Sequence, residues 1–198
     1  MKLNILLLAV LIMCVVACVS PTEMQQTWSN PQQKADSTKL FQKILFVAFL
    51  KDPSARKIAE DKLVQEVNGR GVASYNYLNT DTNKELLSQR LKNDGFDGIV
   101  VMRMITLDKK SGVTTTGTVP SKYNSWYGYY NSSFPAFTSQ SNSLNNVYNI
   151  ETNVYSLAAD KLLWSGVTHA VNISDTGKMI DKVIAAVKQR MKSEGFIK

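Results

Sequence analysis

The stretch Lys43-Ile44-Leu45-Phe46-Val47-Ala48-Phe49-Leu50 is an unbroken apolar run of strand length. A run without polar alternation predicts a strand covered on both faces. Asp52-Pro53 follows at once, a capping residue with proline at the first helical position. Ala55, Ile58, Ala59, Leu63 and Val67 then fall on one helical stripe, which Gly69 stops. Val72 to Leu78 is predicted as the second strand. Thr82-Asn83-Lys84-Glu85 has the spacing of a capping box ahead of a helix that carries Leu86, Leu87 and Leu91. Asp97-Gly98 turns into Ile99-Val100-Val101-Met102-Arg103-Met104-Ile105, the third strand. Beyond a long irregular stretch, Tyr148 to Leu157 and Lys161 to Val171 form a hairpin about Ala158-Ala159-Asp160. The final helix begins near Ser174-Asp175 and carries Met179, Ile180, Val183, Ile184, Val187 and Met191 on one face.

The order β-α-β-α-β-loop-β-β-α predicts an α/β (mixed α+β) domain over residues 41–198. Its five-stranded mixed sheet has parallel strands from right-handed crossovers, an antiparallel hairpin and helices packed on it. Lys92-Asn93-Asp94-Gly95-Phe96 recurs as Lys192-Ser193-Glu194-Gly195-Phe196. Both fit a helix stop in which glycine takes the left-handed position and the next apolar residue folds back on the last turn. That reading is set against Asp94 and Asp97 as a catalytic carboxylate pair.

Composition removes several functions. One histidine, His169, and two cysteines, Cys14 and Cys18, exclude a two-histidine metal centre and a multi-cysteine zinc site. Gly112 to Gly117 has the glycines of a P-loop, but Thr118 and Val119 stand where lysine and a hydroxyl must be. Gly69-Arg70-Gly71 lacks the third glycine of a dinucleotide fingerprint and precedes a strand. No Gly-x-Ser-x-Gly elbow occurs. No cofactor, metal or catalytic residue is nominated. His169 alternates with Val167 and Val171 as a half-buried sheet residue would, with a general base as the other reading. Arg103, inside an apolar strand, calls for a carboxylate partner or a place at the sheet end, with ligand binding as its alternative. The net charge of +7 is spread over residues that never run beyond two in a row, as on solvated helix faces.

The N-terminus reads as an address. Met1-Lys2-Leu3-Asn4 precedes the apolar stretch Ile5 to Val16, too short for a comfortable membrane span, and Val15-Val16-Ala17-Cys18 follows. This resembles the bacterial lipobox. The resemblance implies that residues 1–17 are a signal peptide and that Cys18 becomes the lipidated first residue, a thioether to diacylglycerol with an acylated amine. Two or three chains hold firmly where one would not. Val19-Ser20 offers no aspartate like the inner-membrane retention signal, and no Lys-acidic tract resembles a surface-export signal. The resemblance therefore implies the outer membrane, facing the periplasm, an address that argues against nucleic acid as a partner. Residues 18–40 show no period and read as a tether able to reach about 70 Å at about 3.3 Å per residue. Trp28 within it either docks on the domain or hangs in solvent.

The connection 109–145 far exceeds the usual loop and asks for a function. It holds Tyr123, Trp126, Tyr127, Tyr129, Tyr130, Phe134 and Phe137, with Lys109, Lys110 and Lys122 and no acidic residue. Passive spacers are poor in aromatics. One reading extends the sheet as a hairpin, Val113 to Val119 and Trp126 to Tyr130, with aromatics packed on each other. The other makes these side chains a contact surface for a protein, a glycan strand or the membrane interface. The two are compatible.

Val154-Tyr155-Ser156-Leu157-Ala158-Ala159-Asp160-Lys161-Leu162-Leu163-Trp164-Ser165-Gly166 resembles a hairpin of bacterial envelope lipoproteins, where a C-terminal helix follows it. With the preceding element order, residues 41–197 resemble the α/β domain of the TolB N-terminal domain, the curli-secretion channel lipoprotein and outer-membrane activators of penicillin-binding proteins. The resemblance implies a non-catalytic binding or assembly module, membrane-held, with a protein or cell-wall partner. The alternatives are a cell-wall hydrolase, and a subunit of an oligomeric secretion pore with 109–118 and 123–130 as a membrane hairpin. Those stretches lack the apolar/polar alternation of a lipid-facing strand.

Overall fold

The computed structural model describes residues 22–31, 41–78, 84–105, 123, 125–130, 147–171 and 175–197. The signal-like segment, Cys18, the capping-box Thr82, Phe134, Phe137 and the stretch Val113 to Val119 lie outside these residues. Along the chain come β1 (Thr22–Ser29), β2 (Ile44–Phe49), α1 (Pro53–Gln65), β3 (Gly71–Ala73), a 3-10 turn (Ser74–Asn76) and α2 (Lys84–Asn93). They are followed by β4 (Gly98–Ile105), β5 (Val147–Ser156), β6 (Lys161–Val171) and α3 (Thr176–Ser193). The sheet order is β1-β6-β5-β4-β2-β3. β3, β2 and β4 run parallel, while β4, β5, β6 and β1 pair antiparallel. The mixed sheet with packed helices is as expected, and its parallel and antiparallel halves fall where the crossovers and the hairpin put them.

The sheet has six strands, not five. The extra one, β1, falls inside the stretch read as a tether, and Trp28 docks as part of it. The period-2 signal is hidden by a bulge between Met24 and Gln26. The extra residue flips the alternation, so Met24 packs on the core of one sheet face and Trp28 on the core of the other. The second predicted strand is also shorter than Val72 to Leu78. Glu60 on α1, fully buried, accepts from Ser74 Oγ at 2.7 Å and from the Tyr75 N–H at 2.9 Å. Those bonds hold the chain in a 3-10 turn in place of a sheet ladder.

The cap of α1 and the two glycine helix stops act as their chemistry requires, whereas Leu86, read as apolar-face, is 63% exposed. Asp52 caps α1, accepting from the N–H groups of Ser54 and Ala55 at 3.1 and 3.2 Å. Gly95 and Gly195 sit at φ +80° and +70°, and the next residues return N–H bonds, Phe96 to Leu91 O and Phe196 to Met191 O. Asp97 serves the fold, accepting from the N–H groups of Gln42 and Lys43. Asp94 accepts from the Tyr77 hydroxyl.

Each sheet face has its own core. On the first, Phe46, Met102, Ile150 and Trp164 meet Ala59 and Leu63 of α1 and Ile180, Val183 and Val187 of α3. On the second, Leu45, Val47, Ile99 and Tyr155 meet Leu87 and Leu91 of α2 together with Tyr123, Trp126 and Tyr129. The C-terminal ends of β2, β4 and β6 and the N-terminal ends of β5 and β1 share one end of the sheet, because Thr22 pairs with Ala170, Tyr148 with Ala170 and Asn149 with Ile105.

Candidate functional site

The aromatic stretch forms a short helical turn over residues 126–130 on the second face of the sheet. It is not the hairpin arm of one sequence reading. Ser125 starts the turn: its carbonyl accepts from the Tyr129 N–H and its hydroxyl from the Gly128 N–H, both at 3.1 Å. Tyr123, Trp126 and Tyr129, three apart and so on one helical stripe, are fully buried. Tyr127 and Tyr130 are half-buried at the margin of the same core. Ring contacts lock the group: Trp126 to Tyr130 at 4.9 Å, Tyr123 to Tyr129 at 5.2 Å and Tyr130 to Phe49 at 5.6 Å between centroids. Of the seven aromatics nominated from sequence, three are thus interior and two are presented at the surface. Phe134 and Phe137 lie outside the described residues.

Beneath the turn lies a carboxylate. Glu151 on β5, with no exposed area, stands opposite Arg103 on β4 in the ladder. It accepts from Arg103 Nε at 2.8 Å, Tyr123 Oη at 2.8 Å and Tyr129 Oη at 2.5 Å. Arg103 Cζ also lies 5.1 Å from the centre of the Tyr129 ring. Burial first, then the Glu151 charge, pushes the hydroxyls of Tyr123, Tyr129 and Tyr155 well above the ordinary tyrosine value. For Arg103, burial pulls against the charge, but Tyr129 and Glu151 outweigh it and hold the guanidinium protonated. Arg103 therefore has the carboxylate partner that its place in an apolar strand demands.

This arrangement is a clasp. A general acid or base must reach the proton it moves. Glu151 is covered by two tyrosines and engaged by three donors, so its chemistry is spent on holding the turn to β4 and β5. A second buried carboxylate, Glu60, is similarly occupied, accepting from the Ala48 N–H, Arg56 Nε and Ser74 Oγ. The half-buried Glu194 after α3 accepts from Thr27 Oγ1, Ser29 Oγ and Trp164 Nε1. Burial opposes its charge, yet those bonds and Arg190 hold its carboxyl below the usual range. The half-buried His169 has its Nδ1 2.9 Å from Asn149 Oδ1 on the neighbouring strand, the sheet role expected of it. Among the described residues no three His, Cys, Asp or Glu side chains gather as metal ligands, and no helix is long and apolar enough to cross a membrane. The sequence signal for the clasp was available in part: two charged residues, Arg103 and Glu151, inside strands otherwise fit for a core.

No protein-family model and no curated protein matches the chain. Solved structures do resemble it. The PelC dodecamer from Paraburkholderia phytofirmans aligns at TM-score 0.43 and 11% identity, over 84% of this chain and 96% of that one. TolB from Acinetobacter baumannii aligns at TM-score 0.39 and 12% identity, over 87% of this chain and 31% of TolB. Lipoprotein GNA1162 from Neisseria meningitidis aligns at TM-score 0.36 and 11% identity, over 77% and 98%. No residue role transfers at such identities.

Proposed function

We propose that this chain is a lipid-anchored, non-catalytic binding or assembly module of a bacterial outer membrane, held through Cys18 and facing the periplasm. Its contact surface is rooted in the aromatic connection between β4 and β5. The observation that carries the reading is the Glu151 clasp. A buried ion pair with two tyrosine hydroxyls fixes residues 123–130 to the sheet, which is a costly way to hold a spacer and a suitable way to hold a contact surface in register. Tyr123, Trp126 and Tyr129 supply the root. Tyr127 and Tyr130 supply the outer face, with the large, low-entropy contact area that aromatic side chains give an interface. The two buried carboxylates, Glu60 and Glu151, and the half-buried Glu194 are each committed to structural donors, which favours binding over turnover.

Two measurements test it. Cells grown with labelled palmitate should yield a labelled protein that the Cys18→Ser variant no longer yields, and a soluble, unacylated parent protein would remove the anchor. A photoreactive residue at position 127 should crosslink in cells to a discrete partner that the same residue at Lys192 does not capture. Identical crosslinking at both positions would remove the contact surface.

A further inference from the structure

The lipid-bearing residue and the sheet are joined by very little chain. β1 begins at Thr22, so only residues 19–21 separate Cys18 from a strand paired along its length with β6. At about 3.3 Å per residue the four steps from 18 to 22 span at most about 13 Å. β6 runs from Lys161 to Val171, and at about 3.3 Å per residue its two ends stand about 33 Å apart. A leash so short leaves the domain no freedom to present either end to the bilayer. Thr22 pairs with Ala170 near the end of β6, so the near end is the one where β2 and β4 finish and β5 begins.

That end has the furnishing of an interfacial surface. The aromatic connection departs from Ile105 and returns at Val147, both there. Tyr130 lies in tilted ring contact with Phe49, the last residue of β2. Lys51, just past β2, and Lys178, in the first turn of α3, are exposed on the same end. Of the carboxylates near them, Asp52 and Asp175 are engaged in capping α1 and α3, and Glu23 accepts from Gln25. Tyrosine and lysine are the side chains that settle at headgroup level, one through an amphipathic ring and the other through a long stem with a charged tip. The opposite end carries the Ala158-Ala159-Asp160 turn and the close of α3.

We infer that the end of the sheet at which β1 begins lies directly on the bilayer that holds Cys18, with Tyr130, Lys51 and Lys178 against lipid headgroups and the Ala158–Asp160 turn pointing away. The inference rests on the lipid-anchor reading and adds an orientation to it. It makes the protein a surface-seated cap on the membrane in place of a domain swinging on a rope.

The experiment uses the full lipidated protein in vesicles of phosphatidylethanolamine and phosphatidylglycerol at three to one, containing a headgroup-proximal spin-labelled lipid as quencher. In the processed protein the one native cysteine is Cys18, whose sulfur is blocked, so single fluorophores are placed by Ser54→Cys or Lys178→Cys at the near end and Ala158→Cys or Lys192→Cys at the far end. The expected result is loss of emission at 54 and 178 with emission kept at 158 and 192. Equal quenching at both ends, or quenching confined to the far end, overturns the orientation. Labels at 54 and 178 that are shielded from water yet unquenched by lipid also overturn it, since a protein neighbour then covers that end. A mass for the N-terminal peptide without diacylglycerol overturns the anchor itself, and is read separately from the quenching. Lengthening the leash by a Gly/Ser segment after Val19 should restore emission at 54 and 178 if the leash sets the seat, and unchanged quenching there overturns the leash as its cause.

Discussion

The two faces of the sheet solve the same problem with different chemistry. The first is closed by α1 and α3 mainly through apolar packing: Ile180, Val183 and Val187 press on Phe46, Met102, Ile150 and Trp164, with Glu60 and Glu194 fastening neighbouring segments. The second is closed partly by the aromatic stretch, helical over the described residues 126–130, and there the sheet supplies an ion pair and an acceptor for two tyrosines. A long helix carries its own hydrogen bonds and needs only an apolar stripe. The aromatic stretch is fastened by side-chain donors as well, and Glu60 on α1 fastens the turn after β3 in the same way.

That contrast can be broken in order of size. Glu151→Leu strands Arg103 without its counter-charge and both tyrosines without their acceptor, and should cost about 3–5 kcal/mol, read as a fall in the urea midpoint. Adding Arg103→Met, Tyr123→Phe and Tyr129→Phe to the same chain should return most of that loss, because an apolar set of similar volume needs no partner. If it does not, the clasp contributes more than mutual neutralisation. On the first face, Ile180→Ala should cost about 2–5 kcal/mol by cavity formation, with no dependence on salt or pH.

The clasp also gives an alkaline signature. Tyr123, Tyr129 and Tyr155 are held above the ordinary value, by burial and then by Glu151, so the fold binds their protons more tightly than the unfolded chain does. Their contribution is complete below about pH 10 and is lost as pH rises beyond it. Phenolate absorbance should therefore appear for these rings only together with loss of near-ultraviolet circular dichroism. Glu194 has the opposite sign. Its folded value is depressed, so its contribution is present above the usual carboxylate range and fades as pH falls through the folded value. Glu194→Gln should cost about 1 kcal/mol at neutral pH and converge on the parent in acid. At the smallest end, Tyr155 Oη is buried without a hydrogen-bond partner among the described residues, so Tyr155→Phe should hold stability or raise it by up to about 1 kcal/mol.

Legibility in the sequence followed the regularity of the pattern. β2 and β4 are readable as apolar runs of strand length, β5 and β6 as a hairpin about Ala158-Ala159-Asp160, α3 by its helical apolar stripe, and the helix stops because glycine at positive φ leaves a compositional mark. β1 was not, since the bulge at its middle sends Met24 and Trp28 to opposite faces and erases the alternation. β3 was overextended because nothing local announces that Glu60, fourteen positions before Ser74, will take the residues that would have continued the strand. The aromatic turn was readable as consequential, but not as half-interior. The three-residue spacing of Tyr123, Trp126 and Tyr129 is a helical stripe, and its acceptor Glu151 is 28 positions away from Tyr123.

The junction of Thr27 and Ser29 with Glu194 has a bearing on how the molecule comes into being. Thr27 and Glu194 are 167 positions apart, and among the described residues β1 has no sheet neighbour besides β6, so the opening strand finds its partner only once most of the polypeptide has been made. The bonds from Thr27 and Ser29 to Glu194 join the two ends of the described chain. Loss of the terminal helix by premature termination would leave β1 paired with β6 but would uncover Phe46, Met102, Ile150 and Trp164, turning an interior into exposed apolar surface.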